Sequence, residues 1–224
     1  MLHTCTFPLC STILNIMKKQ NTEIRTTDKS EFYQTNHLTR EAFWNLYQSG
    51  CDEHLVLHQL RKSTSYVEEL DLLGIYENEI IGHIISTKAQ VIDYQNNTHE
   101  VLCVGPISVL PSLQGKGIGS DLLNRSIAEA KKMGFKGMIL FGNPDYYHRF
   151  GFKNAKEYEI STKDNQNFEP FMALELYKGS LKSSRGKFFE DKAFETKLED
   201  VNEFDKNFPR KEKGKPKVDI SKLK

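Results

Sequence analysis

Apolar residues in the first half of the chain recur at helical spacing. They fall every three or four positions between residues 31 and 47 and again between 52 and 62, which predicts two amphipathic helices. Asp28 or Ser30 is placed to cap the first helix, because short side chains bearing an oxygen accept the unpaired N–H groups of a first turn. Gly50 is placed to end that helix, since glycine readily adopts the left-handed conformation that follows a helix.

The pattern then changes to that of β-strands. Residues 70–76 and 80–85 are two apolar runs joined by the polar residues 77–79, which predicts a hairpin. Residues 88–94 prolong the second strand, and residues 100–109 form a third apolar run. Strands that follow one another through such short connections form an antiparallel meander.

The second half of the chain adds one parallel unit. Residues 117–132 carry an apolar stripe at helical spacing and end at Gly134, and residues 135–141 form a buried strand. A strand, a helix and a strand in this order make a right-handed parallel crossover. A short helix at 144–149 and a strand at 170–176 follow. These elements predict an α/β (α+β) fold with a mixed, mostly antiparallel central sheet flanked by helices.

Length and composition limit the function classes. The 224 residues suffice for one domain with short appendages, and a hydrophobic content of 38% is too high for a disordered protein. No apolar run approaches the roughly 18 residues of a membrane span, and a net charge of +1 excludes a globally basic nucleic-acid binder. The four cysteines, at positions 5, 10, 51 and 103, lack the spacing of a zinc site. We therefore expect reduced thiols, a cytoplasmic protein and no metal.

The two ends of the chain differ from its body. Residues 210–224 hold seven basic and two acidic residues, a net charge of +5, whereas residues 20–209 have a net charge of −6. Without aromatic residues, the basic end is expected to be disordered and gives no support for specific nucleic-acid binding, although an adaptor that uses it stays an alternative. Met17 is an alternative start. We divide the chain into a leader (1–21), a domain (22–178), an extension packed on that domain (179–209) and a basic tail (210–224).

The loop at residues 114–120, with the sequence QGKGIGS, carries the main chemical signal. Its three glycines leave main-chain N–H groups uncovered, and it opens a helix whose first N–H groups and dipole favour an anion. The loop is therefore expected to hold a phosphate or pyrophosphate. The P-loop pattern is absent, and Ser120 stands where the dinucleotide fingerprint GxGxxG requires a glycine.

This loop and its surroundings resemble the GNAT acetyltransferase superfamily. The family motif is Gln or Arg, two residues, Gly, one residue, and Gly or Ala, and residues 114–119 match it. Upstream, Gly105-Pro106 interrupts a strand, as the family's fourth strand is interrupted where it splays from the fifth. Downstream, Tyr147 precedes Gly151-Phe152 at the spacing of the family's tyrosine. The resemblance covers residues 22–178 and extends to a bacterial subgroup.

The resemblance implies an N-acetyltransferase with acetyl-CoA as its co-substrate and a sheet splayed at the acetyl-CoA site. An amine would attack the thioester directly in a ternary complex, with the Val109 N–H stabilising the oxyanion and Tyr147 protonating the leaving thiolate. Many members carry an asparagine seven residues before the tyrosine; here that position is Leu140, and Asn143 is the amide assigned instead. The implied cofactor-binding residues are Ile107, Ser108, Val109, Gln114, Gly115, Lys116, Gly117, Ile118, Gly119, Ser120 and Asn143.

Other polar and aromatic residues are considered for the acceptor side of the reaction. The residues weighed as general base are Glu69, His83, His99 and Glu100, but for each of them a solvated or paired side chain is the favoured interpretation. Cys103 lies in an apolar run and is expected to behave as a small hydrophobic residue rather than an acyl carrier. Phe43, Trp44 and Tyr146 are expected to be core or to line the acceptor site.

The sequence leaves the acceptor open. A small amine, an aminoglycoside, a polyamine, a peptide N-terminus and a lysine side chain all fit an N-acetyltransferase of this family. Neither a membrane nor a specific nucleic acid is expected as partner, and a homodimer is compatible with the resemblance. The alternative function is a non-catalytic module of the same fold that binds or senses acyl-CoA.

Overall fold

The computed structural model describes residues 22–219, which form one nine-stranded sheet with helices packed on it. The expectations for the leader and for residues 220–224 lie outside the described residues. The strands are β1 (Glu23–Thr26), β2 (Asp71–Tyr76), β3 (Glu79–Asp93), β4 (Thr98–Val109), β5 (Gly137–Phe141), β6 (Lys153–Asn154), β7 (Ile160–Thr162), β8 (Phe171–Glu175) and β9 (Gly186–Phe189). The α-helices are α1 (Phe32–Phe43), α2 (Glu53–Leu60), α3 (Ile118–Lys132), α4 (Pro144–Tyr147) and α5 (Leu198–Asp205).

The sheet is mixed and mostly antiparallel, which confirms the fold prediction. Its strands lie in the order β1-β2-β3-β4-β5-β8-β6, and β9 pairs with both β3 and β7. The pairs β4–β5 and β7–β9 are parallel, and the remaining pairs are antiparallel. The predicted hairpin is β2–β3, the meander continues into β4, and α3 makes the parallel crossover to β5.

The turn Lys29–Glu31, which leads directly into α1, begins with a reciprocal cap. The Asp28 carboxylate accepts a hydrogen bond from the Ser30 N–H at 2.8 Å, and the Glu31 carboxylate accepts one from the Asp28 N–H at 2.9 Å. Arg25, on β1, donates two further hydrogen bonds to Glu31. Of the two caps that the sequence allowed, the structure uses Asp28, and the cap ties the helix start to the edge of the sheet.

The core lies on both faces of the sheet. On one face, α3 packs its apolar stripe against alternate residues of the central strands; this cluster includes Leu72, Ile84, Leu102, Leu122, Leu123, Met138 and Met172. Gly82 lets α3 approach closely, because a Cβ there would lie 2.8 Å from Leu122. Helix α2 packs on the other face around Ile85. Burying each such side chain contributes about 1.5–3 kcal/mol, so α3 is held firmly against β3 and β4.

The C-terminal extension contributes elements that the pattern of residues did not predict. Strand β9 pairs with residues 90–93 of β3, so it belongs to the same sheet as the domain before it. Helix α5 is attached to α1 through Asp205, whose carboxylate accepts hydrogen bonds from Arg40 at 2.6 and 3.1 Å. Arg40 is only 1% exposed, so this ion pair lies between the two helices rather than on the surface.

The prediction of a disordered basic tail is wrong for residues 210–219. The Glu212 carbonyl accepts a hydrogen bond from the Trp44 ring at 2.9 Å, and the main-chain N–H groups of Lys217 and Val218 donate to the segment after α1. Lys211 forms an ion pair with Glu41 and also faces the Trp44 ring. Composition suggested disorder because the tail has little apolar surface of its own; its order comes from α1 and the segment that follows it.

Candidate active site

A cleft opens where β4 and β5 separate. The two strands pair only at Leu102–Met138 and Cys103–Ile139, and β4 then continues to Val109 paired with β3 but not with β5. At this point β4 contains a bulge, because Gly105 and Pro106 together lie opposite Ile85 in the ladder with β3. The interruption predicted at Gly105-Pro106 is therefore present, and it marks the start of a cleft of about 810 Å³.

The free edge of β4 presents main-chain donors to this cleft. The Leu110 N–H donates to the Ile81 carbonyl of β3 at 3.0 Å. Because successive N–H groups of a strand point to opposite edges, those of Ile107 and Val109 point away from β3 into the cleft. No described strand pairs with β4 at these two residues on that side.

Ser108 does not share this orientation. Its N–H group points toward β3, and its hydroxyl is buried and donates to the Thr39 hydroxyl of α1 at 2.8 Å. The side chain thus connects β4 to α1 and does not line the cleft, so its assignment to the cofactor-binding residues is corrected. The sequence could have indicated this, because successive residues of a strand alternate in orientation. Ser108 therefore points the opposite way from Ile107 and Val109.

The glycine loop forms the other end of the cleft. Gly115 and Gly117 have φ angles of +76° and +96°, the left-handed region that favours glycine, and Gly117 is the N-cap of α3. The main-chain N–H groups of residues 115–119 donate to no acceptor within the described part of the chain. They lie at a helix N-terminus, where both the unpaired donors and the dipole favour an anion.

The side chains of the glycine loop differ in whether they reach the cleft. Gln114 lines the cleft and donates to the Val109 carbonyl at 3.2 Å, so it connects the loop to the end of β4. Ile118 packs into the core beneath the loop, leaving only its main chain for a ligand. Lys116 is exposed and does not line the cleft, so its side chain is not among the groups that the structure brings to the site.

Arg149 lines the cleft beside the glycine loop and was not singled out from the sequence. Its guanidinium stacks over Tyr146 at 4.1 Å and over Phe150 at 5.0 Å, and it donates to the Ser120 hydroxyl at 3.2 Å. It therefore links the segment after β5 to the glycine loop. Tyr146 faces the same loop, since its hydroxyl lies 3.0 Å from the position that a Cβ on Gly119 would take.

Tyr147 lies on the opposite wall of the cleft from β4. Its ring packs edge-on against Tyr146 and Phe152, with centroid distances of 4.9 and 5.7 Å, and covers Gly142. The hydroxyl donates no hydrogen bond to any described residue. Burial, together with the neighbouring phenols, raises the pKa of Tyr147 well above its usual range, so the hydroxyl stays protonated at neutral pH.

Asn143 lines the cleft close to Tyr147, but its side chain also has a structural task. Its carbonyl oxygen accepts a hydrogen bond from the Asp145 N–H at 3.0 Å and caps α4. The amide nitrogen of the same side chain has no hydrogen bond within the described residues. Asn143 can therefore donate to a ligand without losing its cap.

The cleft also contains two carboxylates that were not predicted from the sequence. Glu53 is the first residue of α2, and Glu190 follows directly after β9. Burial, followed by the charge of Asp52, raises the pKa of Glu53 to about 7, and burial also raises the pKa of Glu190. Neither residue stands in a recognisable motif, because each reaches the cleft through packing between distant segments.

None of the residues considered as general base lines this cleft. His83 is buried against Asp71 at 2.6 Å, His99 pairs with Asp93 at 2.9 Å, and Glu100 pairs with Lys88 at 3.4 Å. Glu69 is exposed on the short turn before β2. The four side chains are satisfied or solvated elsewhere, so each is excluded from a direct role in the cleft.

The aromatic residues and Cys103 divide between the cleft and the core. Of the two positions considered for these side chains, Phe43 takes the cleft, whereas Trp44 is 4% exposed and lies in the core beneath the tail. Cys103 is buried at the floor of the cleft, and burial raises the pKa of its thiol well above the usual value. A thiol held protonated in this way is a poor nucleophile, in agreement with its prediction as a small hydrophobic residue.

Two further observations concern metal binding and membrane-spanning helices. Within residues 22–219, no group of three or more His, Cys, Asp or Glu side chains is arranged to hold a metal ion. None of the helices in this range combines the length and apolar character needed to cross a bilayer.

Comparison with known proteins gives consistent matches. The family profile described as "Acetyltransferase (GNAT) domain" matches residues 23–155, more than half of the chain. Two curated relatives from Escherichia coli strain K12 carry the description "uncharacterized N-acetyltransferase". YjhQ is 28% identical over 127 residues, which cover 57% of this chain and 67% of YjhQ. YhbS is 24% identical over 115 residues, which cover 51% of this chain and 65% of YhbS, so the chain spans about two thirds of each relative.

Solved structures share the fold. The crystal structure of Escherichia coli YhbS in complex with CoA has a TM-score of 0.69 at 19% identity, covering 79% of this chain and 93% of that one. A GNAT family acetyltransferase from Brucella melitensis in complex with acetyl-CoA has a TM-score of 0.64 at 24% identity, covering 79% of this chain and all of that one. At these identities the likeness concerns the fold.

Proposed function

This chain belongs to the GNAT acetyltransferase family, and from that premise we propose that it transfers an acetyl group from acetyl-CoA to a primary amine. The observation that carries the proposal is the arrangement of unpaired main-chain N–H groups at two places in one cleft. One set lies on the free edge of β4 at Ile107 and Val109, and the other lies in the glycine loop at residues 115–119. An elongated ligand with amide groups and a diphosphate matches both sets.

Acetyl-CoA fits the groups that line the cleft. The loop N–H groups at the start of α3 suit the diphosphate, and the β4 N–H groups suit the carbonyl oxygens of the pantetheine arm. Gln114, Ser120, Asn143 and Arg149 supply the polar side chains around this path. Two structural neighbours of the chain, from Escherichia coli and Brucella melitensis, were crystallised with CoA and acetyl-CoA respectively, which supports the same ligand class here.

The reaction proposed is direct attack of the amine on the thioester carbonyl. Holding donor and acceptor side by side contributes most of the rate, since correct positioning is worth about 7–11 kcal/mol. The Val109 N–H is placed to donate to the oxygen that becomes negative when the carbonyl carbon turns tetrahedral. Tyr147 then gives its proton to the sulfur as the C–S bond breaks, a role that suits a phenol kept protonated by its surroundings.

The experiment that tests this function is thiol release from acetyl-CoA across a panel of primary amines. We expect amine-dependent release by the wild-type protein and a loss of about 10²–10⁴-fold in kcat for Tyr147→Phe, with CoA affinity retained. Tyr94→Phe is the matched control, because Tyr94 is 78% exposed at a turn outside the cleft and its variant should turn over normally.

The outcomes separate the proposal from its alternatives. Tight CoA binding without thiol release for any amine would indicate a non-catalytic acyl-CoA-binding module. Equal turnover by Tyr147→Phe and the wild type would remove Tyr147 from the role of general acid while leaving the transferase activity in place.

A further inference from the structure

Glu53 occupies a position in the cleft that the cofactor does not require. It is the first residue of α2 and lines the acceptor end, together with Phe43 and Tyr47 from the end of α1 and the segment after it. No Lys, Arg or His in the described part of the chain forms an ion pair with Glu53. Its carboxylate accepts hydrogen bonds from main-chain N–H groups, that of Asp52 at 3.2 Å and its own. A half-buried carboxylate without a cation is suited to receive one from a ligand.

Tyr47 connects this carboxylate to the proposed general acid. The negative charge of Glu53 acts on the Tyr47 phenol, and Tyr47 in turn acts on Tyr147, so the three side chains are close enough to interact electrostatically. Glu53 therefore shares the cleft with the proposed general acid. An amine bound between them would have a proton acceptor on one side and the thioester on the other.

We propose that Glu53 binds the ammonium group of the acceptor and removes its first proton, acting as the general base. This inference rests on the proposed acetyl transfer. The Phe43 and Tyr47 rings beside Glu53 favour an acceptor whose cationic amine is carried on an apolar or aromatic stem. An acceptor with an anionic group next to its amine would be disfavoured by the charge of Glu53.

The proton balance of the reaction assigns one proton to each of the two residues. The ammonium gives one proton to Glu53, which releases it to solvent, and the neutral nitrogen forms a bond to the acetyl carbon. The C–S bond breaks as Tyr147 protonates the sulfur, and the second nitrogen proton returns to the Tyr147 oxygen. The products are an N-substituted acetamide, the free thiol of CoA and one proton.

Glu190 is the competing carboxylate, and its surroundings make it the weaker candidate. It lies 4.0 Å from the Cys103 thiol, and the charge of Lys163 acts to lower its pKa. Glu53 has no such cation. The charged and titratable groups that face Glu53 are Asp52 on its own turn, Tyr47 and Cys51 on the preceding segment, and Tyr147 and Glu190 across the cleft. With a pKa of about 7, Glu53 is matched to proton removal at neutral pH.

The test is the pH dependence of kcat/KM for the wild type, Glu53→Gln and Glu69→Gln. For the wild type we expect kcat/KM to rise through about pH 7, as Glu53 loses its proton, and then to level off. In Glu53→Gln the rise near pH 7 should disappear, with kcat/KM at pH 7 lowered about 10²–10⁴-fold. Activity should recover toward pH 10, where the amine itself becomes neutral. Glu69→Gln, an exposed glutamate outside the cleft, should match the wild type.

Additional variants separate this inference from the function on which it rests. CoA affinity and thermal melting should be unchanged in Glu53→Gln, and Glu53→Asp should restore part of the rise near pH 7. A wild-type pH profile in Glu53→Gln would overturn the inference, as would a loss of that profile in Glu190→Gln alone. Absence of CoA binding or thiol release in the wild type would instead reject the proposed function itself.

Discussion

Gly142 determines where the Tyr147 ring can lie. A Cβ at position 142 would overlap that ring, so alanine cannot be introduced without moving the tyrosine. We expect Gly142→Ala to lower kcat about 10²-fold, the effect of displacing a reacting group by roughly 1 Å, while CoA affinity is retained. The measurement is a double-mutant cycle with Tyr147→Phe. If Gly142 acts through Tyr147, the double variant will be no slower than Tyr147→Phe alone; additive losses would contradict this explanation.

Gly117 is required for its backbone conformation. Its φ of +96° lies in the left-handed region, and no atom lies within 4 Å of the place where a Cβ would stand. Asparagine tolerates this region and valine does not, because its branched Cβ meets the following carbonyl. We expect Gly117→Val to weaken CoA binding about 5- to 30-fold, the equivalent of a strain of roughly 1–2 kcal/mol, and Gly117→Asn to weaken it much less. Calorimetric titration with CoA measures both; equal losses would indicate that side-chain volume, not φ, is the cause.

At the scale of single residues, the sequence predicted those whose role depends on local spacing. The glycine loop and Tyr147 are defined by a few neighbouring positions, and the structure places both in one cleft. Glu53 and Arg149 were missed because their roles arise from segments far apart in the chain. Ser108 was misassigned because three consecutive residues of β4 were all assigned to the cofactor, although successive residues of a strand face opposite sides.

At the scale of elements, the attachment of α5 to α1 includes one buried ion pair. Arg40 is 1% exposed, so removal of the Asp205 charge would leave this buried cation with Glu41, at 3.5 Å, as its carboxylate contact in the described part of the chain. We expect Asp205→Asn to lower the free energy of unfolding by about 3 kcal/mol, measured by urea denaturation. Glu203→Gln removes an exposed pair on the same helix, and its effect should be within about 0.5 kcal/mol. Equal effects of the two substitutions would show that α5 is held by its apolar contacts alone.

The same ion pair predicts how stability depends on pH. Burial would raise the pKa of Asp205, but the hydrogen bonds and charge of Arg40 outweigh burial and lower it. A lowered pKa in the folded state stabilises the fold above the unfolded value of about 3.9, and this contribution is lost as the pH falls below it. The free energy of unfolding should therefore fall less steeply between pH 5 and pH 3 in Asp205→Asn than in the wild type. An unchanged slope would assign the acid sensitivity to other carboxylates.

Elements with strong periodicity were predictable, and elements stabilised by tertiary pairing were not. The stripe of α3 and the apolar runs of β2 to β5 follow from residue patterns that each segment carries on its own. Strand β9 is only four residues long and is defined by its pairing with β3 and β7. Such a strand has no independent stability, so its own sequence contains little information about it.

At the scale of the whole molecule, the C-terminal tail holds one wall of the cleft. Residues 212–218 bind Trp44 and the segment after α1, and this segment carries Leu46 and Tyr47 into the cleft. The chain contains a single tryptophan, so its fluorescence reports on this contact. We expect deletion of residues 210–224 to shift the Trp44 emission to the red, lower the melting temperature and raise KM for the amine, with CoA affinity unchanged.

A matched truncation provides the control for the tail. Deletion of residues 220–224 keeps every contact made by residues 212–218, so emission and KM should equal those of the full chain. Unaltered emission after the longer deletion would mean that the tail does not cover Trp44 in solution. The overall charge pattern misled the sequence prediction here, because a basic segment was judged without the acidic and aromatic surface that binds it.

We propose that main-chain N–H groups of the glycine loop and of β4 hold the CoA moiety. A titration of the ¹⁵N-labelled protein with CoA, followed by amide chemical shifts, tests this binding residue by residue. We expect the largest shifts at residues 115–119, Ile107 and Val109, with the Ser108 amide changing less because it points toward β3. Largest shifts at the acceptor end around Glu53, with the glycine loop unchanged, would contradict it.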